Sequence, residues 1–319
     1  MRVFDAHEDI WTHIAQKRLA GERDVFRKYH LNNHKIGQVK GGIFVIWIDP
    51  PFTEAPMARL ETIVREMKNE LMECGDVLQI VKSYEDYEKA LEKGLVAGLI
   101  GLEGLSYITD SLKPLEDLYE IGARHASLTW NEENALATGV RGNSDRGLTS
   151  LGRAAVKKME KLKMIVDVSH ANERTFWDIA GICTRPIIAS HSNARAMWDH
   201  PRNLTDAQLK AILETGGVVG INSYPAFVGK GRNLEDLVNQ VDYLVAKIGV
   251  DHVGCGFDFC DYLDWEREDK GSSMDVLEGL EGTVKVPTLF SGLKSIGYSD
   301  EALSKIAHGN FERLLKTVL

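Results

Sequence analysis

Three histidines and three carboxylates stand where short apolar runs of this sequence end. Imidazole nitrogens and carboxylate oxygens are ligands that Zn²⁺ and related divalent metals accept, and one carboxylate has two oxygens with which it can bridge two ions. Two ions ~3.5 to 4 Å apart lower the pKa of a water between them and polarise a carbonyl group, which makes a hydrolytic nucleophile at neutral pH. The residues concerned are His7, Asp9, Glu103, His170, His191 and Asp258.

A single pair such as His7 and Asp9 is weak evidence, because a strand that ends in a polar turn gives the same pattern. The stronger observation is that several apolar runs end on a possible ligand. Three histidines and two carboxylates suffice for two ions only if one carboxylate is shared and a hydroxide bridges them. A binuclear site is therefore expected if the fold brings these strand ends together.

Eight short runs rich in apolar and β-branched residues alternate with longer segments of helical periodicity, which include residues 55–73, 150–163, 233–249 and 299–318. A strand followed by a helix, repeated, indicates a parallel sheet with both faces covered. Eight such units in ~250 residues or more are typical of a (β/α)8 barrel, whose active sites lie at the carboxyl ends of the strands. The predicted strands are residues 3–7, 41–48, 96–104, 124–130, 164–170, 186–191, 216–222 and 252–258.

A doubly wound sheet is the alternative α/β architecture. Such sheets often carry G-x-G-x-x-G after the first strand, and that motif is missing here. We therefore predict one domain over residues 1–319, an α/β TIM-like barrel of the metal-dependent hydrolase type.

The charge balance argues against several classes of partner. The 319 residues include 47 acidic and 38 basic side chains, a formal net charge of -9, and no Lys/Arg cluster interleaved with aromatic residues. Binding to nucleic acid or to an anionic membrane surface is therefore not expected. No apolar run reaches the ~20 residues of a membrane span, and the charged N-terminal segment has no secretory apolar core, so a cytoplasmic protein is expected.

Five motifs resemble those of one enzyme family. The segments "DAHED", "GLEG", "DVSHAN", "ASHSNAR" and "VGCGFDF" are similar, in order and spacing, to motifs of the membrane (renal) dipeptidase family of metallopeptidases. The resemblance covers nearly the whole chain. It implies a barrel that binds two zinc ions and hydrolyses dipeptides, in some members those with a D-residue at the carboxyl end, and it suggests a homodimer.

The same resemblance implies a role for each candidate metal ligand. His7 and Asp9 would hold one zinc ion, and His170 and His191 would hold the other. Glu103 would bridge both ions.

The resemblance also implies how a substrate would be held. Asp258 would bind its amine and carry a proton from the bridging water to the leaving nitrogen, since a carboxylate can take and return a proton. Arg202 and Tyr224 would bind its terminal carboxylate, because a guanidinium offers two parallel donors and a phenol adds a third.

One position departs from the family pattern. Many members have a histidine at the end of strand four, considered to contact the scissile carbonyl oxygen, where this sequence has Trp130. An indole N–H is a donor without charge. Either Trp130, Asn131 or Asn134 replaces that contact, or catalysis relies on the metals alone.

Two other functions remain open at this point. Another metal-dependent amidohydrolase could act on a cyclic amide, lactone or phosphoester, but those barrels usually open with His-x-His and often use a modified lysine as the bridge. A catalytically silent peptide-binding relative is conceivable because of Trp130. The intact set of five ligands together with Asp258 argues against it.

Overall fold

The protein forms a parallel barrel of eight strands with helices around it. The computed structural model describes residues 1–263 and 276–319. The strands within these residues are β1 (Val3–Glu8), β2 (Val39–Trp47), β3 (Leu78–Ile80), β4 (Val96–Glu103), β5 (Ala123–Ser127), β6 (Ile165–Asp167), β7 (Ile187–Ile188), β8 (Val219–Ile221) and β9 (Val253–Cys255). Their order is β7-β6-β5-β4-β2-β1-β9-β8, and β3 is an extra strand beside the start of β4.

The ring closes between β7 and β8 through a single bridge rather than a ladder, at Ala189 and Val219. The Ala189 N–H donates to the carbonyl of Val218 at 3.1 Å, and the Gly220 N–H donates to the carbonyl of Ala189 at 2.8 Å. The predicted TIM-like (β/α)8 barrel is thus confirmed. The short strand β3 was not predicted.

The helices agree with the predicted helical segments. They are α1 (Ile10–Leu19), α2 (Asn32–Gly37), α3 (Pro56–Cys74), α4 (Tyr84–Glu92), α5 (Lys113–Ile121), α6 (Ser150–Lys161), α7 (Glu173–Ala180), α8 (Asp206–Glu214), α9 (Pro225–Val228), α10 (Leu234–Ile248), α11 (Val286–Ser295), α12 (Asp300–Ser304) and α13 (Asn310–Val318). Segments 55–73, 150–163 and 233–249 correspond to α3, α6 and α10. Segment 299–318 comprises α12 and α13, joined by a π-helical turn at Lys305–Gly309.

The later strands are shorter than predicted. Strands β6, β7 and β9 end at Asp167, Ile188 and Cys255, so His170, His191 and Asp258 each lie three residues beyond a strand. His170 and Asp258 have φ of 67° and 59°, in the left-handed region that non-glycine residues seldom adopt. The chain has therefore left the sheet where these side chains project. The predicted ends of the three strands, at residues 170, 191 and 258, were wrong by three residues each.

The opposite end of the barrel is sealed by the C-terminal helix. Phe311 on α13 stacks on Phe4 of β1 with ring centroids 5.5 Å apart, and both side chains are buried. Arg2 pairs with Glu312 at 2.8 Å, which attaches the start of the chain to the same helix. In the part of the chain that the structure describes, no helix is both long and apolar enough to cross a membrane.

Candidate active site

Glu103 lies at the centre of the predicted ligand cluster. It is the last residue of β4, and its two carboxylate oxygens face different histidines. Oε1 is 2.8 Å from His170 Nε2 and 3.4 Å from His191 Nε2. Oε2 is 3.5 Å from His7 Nε2. One carboxylate therefore stands between two groups of imidazoles, as a shared ligand would.

The remaining carboxylates gather around His7. Its Nε2 atom is 3.9 Å from Asp9 Oδ2 and 3.8 Å from Asp258 Oδ1. Two sets of ligand atoms lie close enough to hold an ion: one from His7, Glu103 and His191, and one from His7, Asp9 and Asp258. All six predicted side chains thus meet at the carboxyl ends of the strands.

The charge of this cluster suits cations. Burial lowers the pKa of His7, but Glu103, Asp258 and Asp9 outweigh it and raise that pKa to about 10. Burial and the neighbouring Glu103 raise the pKa of Asp9 well above its usual value. Several carboxylates held together in a buried place are costly unless positive charge compensates them.

Unpaired buried atoms support the same conclusion. Within residues 1–263 and 276–319, His7 Nε2 and Asp9 Oδ1 are buried and make no hydrogen bond. Such groups are seldom left unsatisfied in a protein interior, and a bound divalent ion is a natural partner for imidazole nitrogen and carboxylate oxygen. The residues present therefore fit a metal.

Hydrogen bonds set the tautomer of two of these imidazoles. His170 Nδ1 is 2.9 Å from Asn131 Oδ1, and because an amide oxygen only accepts, Nδ1 carries the proton and Nε2 presents a lone pair. Burial, then the charge of Arg202, lowers the pKa of His170 to about 4, which keeps the ring neutral near pH 7. A neutral ring with an unprotonated Nε2 is the form that binds a metal.

A chain of buried hydrogen-bonded groups likewise sets the tautomer of His191. The Ser190 hydroxyl donates to Asp167 Oδ2, so it can only accept from His191 Nδ1, which is 2.7 Å away. His125 Nε2 binds the same Asp167 oxygen at 2.9 Å, and Asp167 Oδ1 accepts the backbone N–H of Ser169 at 2.8 Å. Asp167 thus fixes Ser190, and Ser190 fixes the ring of His191.

A cavity of about 320 Å³ opens over the cluster. Asp258 lies on one side, where Asn222 donates to its Oδ2 at 2.9 Å and leaves Oδ1 directed toward His7. Arg202 lines the cavity as well, although its residue is only 5% exposed. Its Nη2 donates to the carbonyl of His191 at 3.2 Å, and its buried Nε makes no hydrogen bond within the described residues.

Comparison with known proteins agrees with this geometry. A sequence profile described as membrane dipeptidase, peptidase family M19, matches residues 1–319. The chain belongs to the membrane dipeptidase family. The family predicted from the motifs is therefore confirmed, and with it a metallopeptidase of the dipeptidase type.

Individual membrane dipeptidase relatives give the same result. An uncharacterized dipeptidase of Schizosaccharomyces pombe is 30% identical over 95% of this chain and 75% of its own length. The metallopeptidase dipeptidase AC is 26% identical, with a TM-score of 0.87 over 100% of this chain and 98% of its own. A metallopeptidase of Rhodobacter sphaeroides, bound to a phosphinate mimic of L-Ala-D-Ala, shares the fold at 24% identity and a TM-score of 0.88, over 100% and 99% of the two chains.

The structure distinguishes the residues considered as replacements for the family histidine. Trp130 lines the cavity, half-buried, with its ring centroid 6.3 Å from that of His170. Asn131 borders the cavity, but its side-chain oxygen is engaged by His170. Asn134 instead orders its own loop, since its side chain bonds the backbone of Leu128 and Leu136.

Sequence reasoning missed the residues that support the ligands. Asp167, Ser190 and Asn222 were not among the predicted site residues, yet Ser190 contacts His191, Asn222 contacts Asp258, and Asp167 accepts the hydrogen bond of Ser190. A signal existed for two of them, because Asp167 precedes His170 in "DVSH" and Ser190 precedes His191 in "ASH". Nothing in the spacing around Asn222 indicated its contact with Asp258.

Proposed function

We propose that this member of the membrane dipeptidase family hydrolyses dipeptides with two divalent metal ions, zinc in the first instance. The observation that carries the proposal is the position of Glu103, whose two oxygens face His7 on one side and the pair His170 and His191 on the other. His7 and Asp9 would hold one ion, His170 and His191 the other, and Glu103 both. When bound, such ions would acidify a water and polarise the scissile carbonyl.

The protein's own side chains would bind and orient the substrate. The Asp258 carboxylate would accept the free amine of the dipeptide at Oδ1, the oxygen that Asn222 does not bind. Burial raises the pKa of Asp258, while His7 lowers it and Glu103 raises it, so this carboxyl is suited to taking up a proton and passing it to the leaving nitrogen.

The other end of the substrate would be held by Arg202 and Tyr224, which both line the cavity. A buried guanidinium gains most from a carboxylate that can replace its lost hydration. The carbonyl oxygen of the substrate would lie near Trp130, which lines the cavity and whose indole N–H would replace the contact made by the family histidine. With the amine and the carboxylate both bound, the distance between these two anchors would select peptides of two residues.

A screen of dipeptides tests this proposal. Purified protein, with its metal content measured on the same sample, would be assayed against matched L,L- and L,D-dipeptides, including L-Ala-D-Ala. We expect turnover of free dipeptides, including some with a D-residue at the carboxyl end. Metal-loaded protein that hydrolyses none of them, but turns over a lactone or cyclic amide, would support the wider amidohydrolase class; binding without any turnover would indicate a silent relative.

A further inference from the structure

The two ends of the cavity differ in chemistry. Beside Asp258, one wall consists of Trp47, Trp130, Cys260 and Leu263, which we call the tryptophan wall. A second group of lining residues surrounds Arg202, namely the exposed Arg141, the half-buried His200, the exposed Pro201 and the half-buried Phe227. Tyr224 lies between the two groups, since it packs against the tryptophan wall and against Phe227.

The tryptophan wall is well packed and uncharged. The rings of Trp47 and Trp130 lie 5.3 Å apart, and Trp47, Cys260 and Leu263 form one apolar cluster against which Trp130 packs. Trp47 is only 4% exposed and Leu263 only 7%. A side chain that enters here meets two indole faces, a thiol and a leucine.

The wall also adjoins the proposed amine anchor. Cys260 Sγ is 3.4 Å from the backbone oxygen of Asp258 and 4.0 Å from its Oδ1. In a dipeptide, the side chain of the first residue branches from the carbon that carries the amine. If the amine binds Asp258, that side chain lies within reach of the tryptophan wall, whereas the second side chain lies toward Arg202.

We propose that the tryptophan wall binds the side chain of the N-terminal residue and selects substrates in which that residue is large and apolar. This inference rests on the proposed dipeptidase function and names its substrate class. Each buried methylene group favours binding by about fourfold. Among the residues that the structure describes, the wall carries no charged side chain that would compensate a charged substrate side chain for its lost hydration. The Arg202 end is more exposed and carries charged groups, so no equal apolar preference is expected for the C-terminal residue.

Two matched substrate series test the inference on zinc-loaded protein. In the series Xaa-Ala, with Xaa as Gly, Ala, Leu, Phe, Lys or Asp, we expect kcat/KM for Leu-Ala and Phe-Ala to exceed that for Gly-Ala by about 30-fold or more. Lys-Ala and Asp-Ala are expected to fall at least about tenfold below Leu-Ala. The series Ala-Xaa should vary less across the same residues.

Substitution of Trp130 tests whether the tryptophan wall causes the preference for a large apolar N-terminal residue. Trp130→Ala should reduce the Leu-Ala to Gly-Ala ratio by about tenfold, and Trp130→Phe should give an intermediate ratio. The matched control is Trp177→Ala, a partly exposed tryptophan on α7 that does not line the cavity, which should leave the ratio unchanged. Thermal melting of each variant checks that it is folded, and because the readout is a ratio, a general loss of activity does not imitate the result.

The outcomes separate the two proposals. Turnover of dipeptides with a flat Xaa-Ala series, a preference for Lys or Asp, or a ratio unaffected by Trp130→Ala would overturn this inference and leave the dipeptidase proposal standing. A complete absence of hydrolysis across both series, prepared with either an L- or a D-residue at the carboxyl end, would overturn the dipeptidase proposal and this inference with it.

Discussion

At the scale of single residues, two proposed ligands and the proposed amine anchor each have a hydrogen-bond partner on the side away from the cluster. Asn131 fixes His170, Ser190 fixes His191, and Asn222 fixes Asp258. A side chain held in this way loses little freedom when it binds an ion or a substrate, so the site is organised before either arrives. Removing one group should therefore have separable effects on metal binding and on chemistry.

Asp258 is proposed to move a proton and bind an amine rather than to hold metal. Asp258→Asn should retain both metal equivalents and lose ~10²-fold or more in kcat, the scale of a general acid–base group. Metal analysis and steady-state kinetics on the same sample check this. Asp261→Asn, which alters a carboxylate that does not line the cavity, is the control. If Asp258→Asn loses metal instead, Asp258 is a ligand.

Arg202 is proposed to recognise the free carboxylate. A charge-assisted pair lost in a partly dry site costs roughly 2 to 5 kcal/mol, so a dipeptide amide should be a poorer substrate than the free acid by a factor of about 30 to several thousand in kcat/KM. Arg202→Met should remove most of that gap. Arg313→Met, which alters an arginine bonded to the backbone of Gly216 and Asp251 away from the cavity, should preserve it. Equal turnover of acid and amide by the unaltered enzyme would refute the role of Arg202.

At the scale of elements, the sequence predicted the eight strands of the barrel but not the backbone conformation at their carboxyl ends. Apolar runs identified all eight barrel strands, and the parallel barrel then required His7, Glu103 and His170 to converge, because their strands point the same way. The sequence pattern could not show that the chain leaves the sheet before His170 and Asp258, since a positive φ at a non-glycine residue has no periodic signature. It also could not show the Asp167 to Ser190 contact, which joins two strand ends by a side chain.

The Ser190 hydroxyl gives an element-scale prediction, because it links Asp167 at the end of β6 to His191, a proposed ligand that follows β7. Ser190→Ala leaves His191 Nδ1 without its acceptor, so zinc affinity should fall by about 10- to 100-fold. Ser190→Thr keeps a hydroxyl and should recover most of that affinity. Ser192→Ala, a nearby buried serine whose hydroxyl lies 3.4 Å from that of Ser169, is the control. Competition with a zinc chelator measures the affinity directly, and equal affinity in Ser190→Ala and the unaltered protein would contradict the role assigned to Ser190.

At the scale of the whole molecule, one buried carboxylate joins the two ends of the chain. Glu312 on α13 accepts hydrogen bonds from Arg2 at 2.8 Å, Tyr87 at 2.9 Å and His308 at 2.9 Å. Burial alone would raise the pKa of Glu312, but the bonds from His308, Arg2 and Tyr87 lower it to about 2. These contacts hold α4 and α13 against the closed end of the barrel.

This depressed pKa predicts how stability depends on pH. Because the pKa of Glu312 is lower in the folded protein than the ordinary 4.5, its contribution is complete above about pH 5 and is lost as the pH falls toward 2. Glu312→Gln should lower the free energy of unfolding by about 1 to 2 kcal/mol at pH 7 and by less at pH 3. Urea unfolding at both pH values checks this, with Glu301→Gln, an exposed residue of α12, as the control. A difference that does not shrink at low pH would argue against the assigned pairing.

The central claim is that two ions are held on either side of Glu103, and one measurement tests it most directly. Metal-free protein would be titrated with zinc while bound metal and dipeptide hydrolysis are followed together. We predict that activity saturates at about two equivalents per chain, and that His170→Ala binds about one equivalent and has no activity. His252→Ala, which alters a histidine bonded to the backbone of Gly217 away from the cavity, should behave like the unaltered protein. Full activity in His170→Ala, or saturation of the unaltered enzyme at one equivalent, would contradict the account.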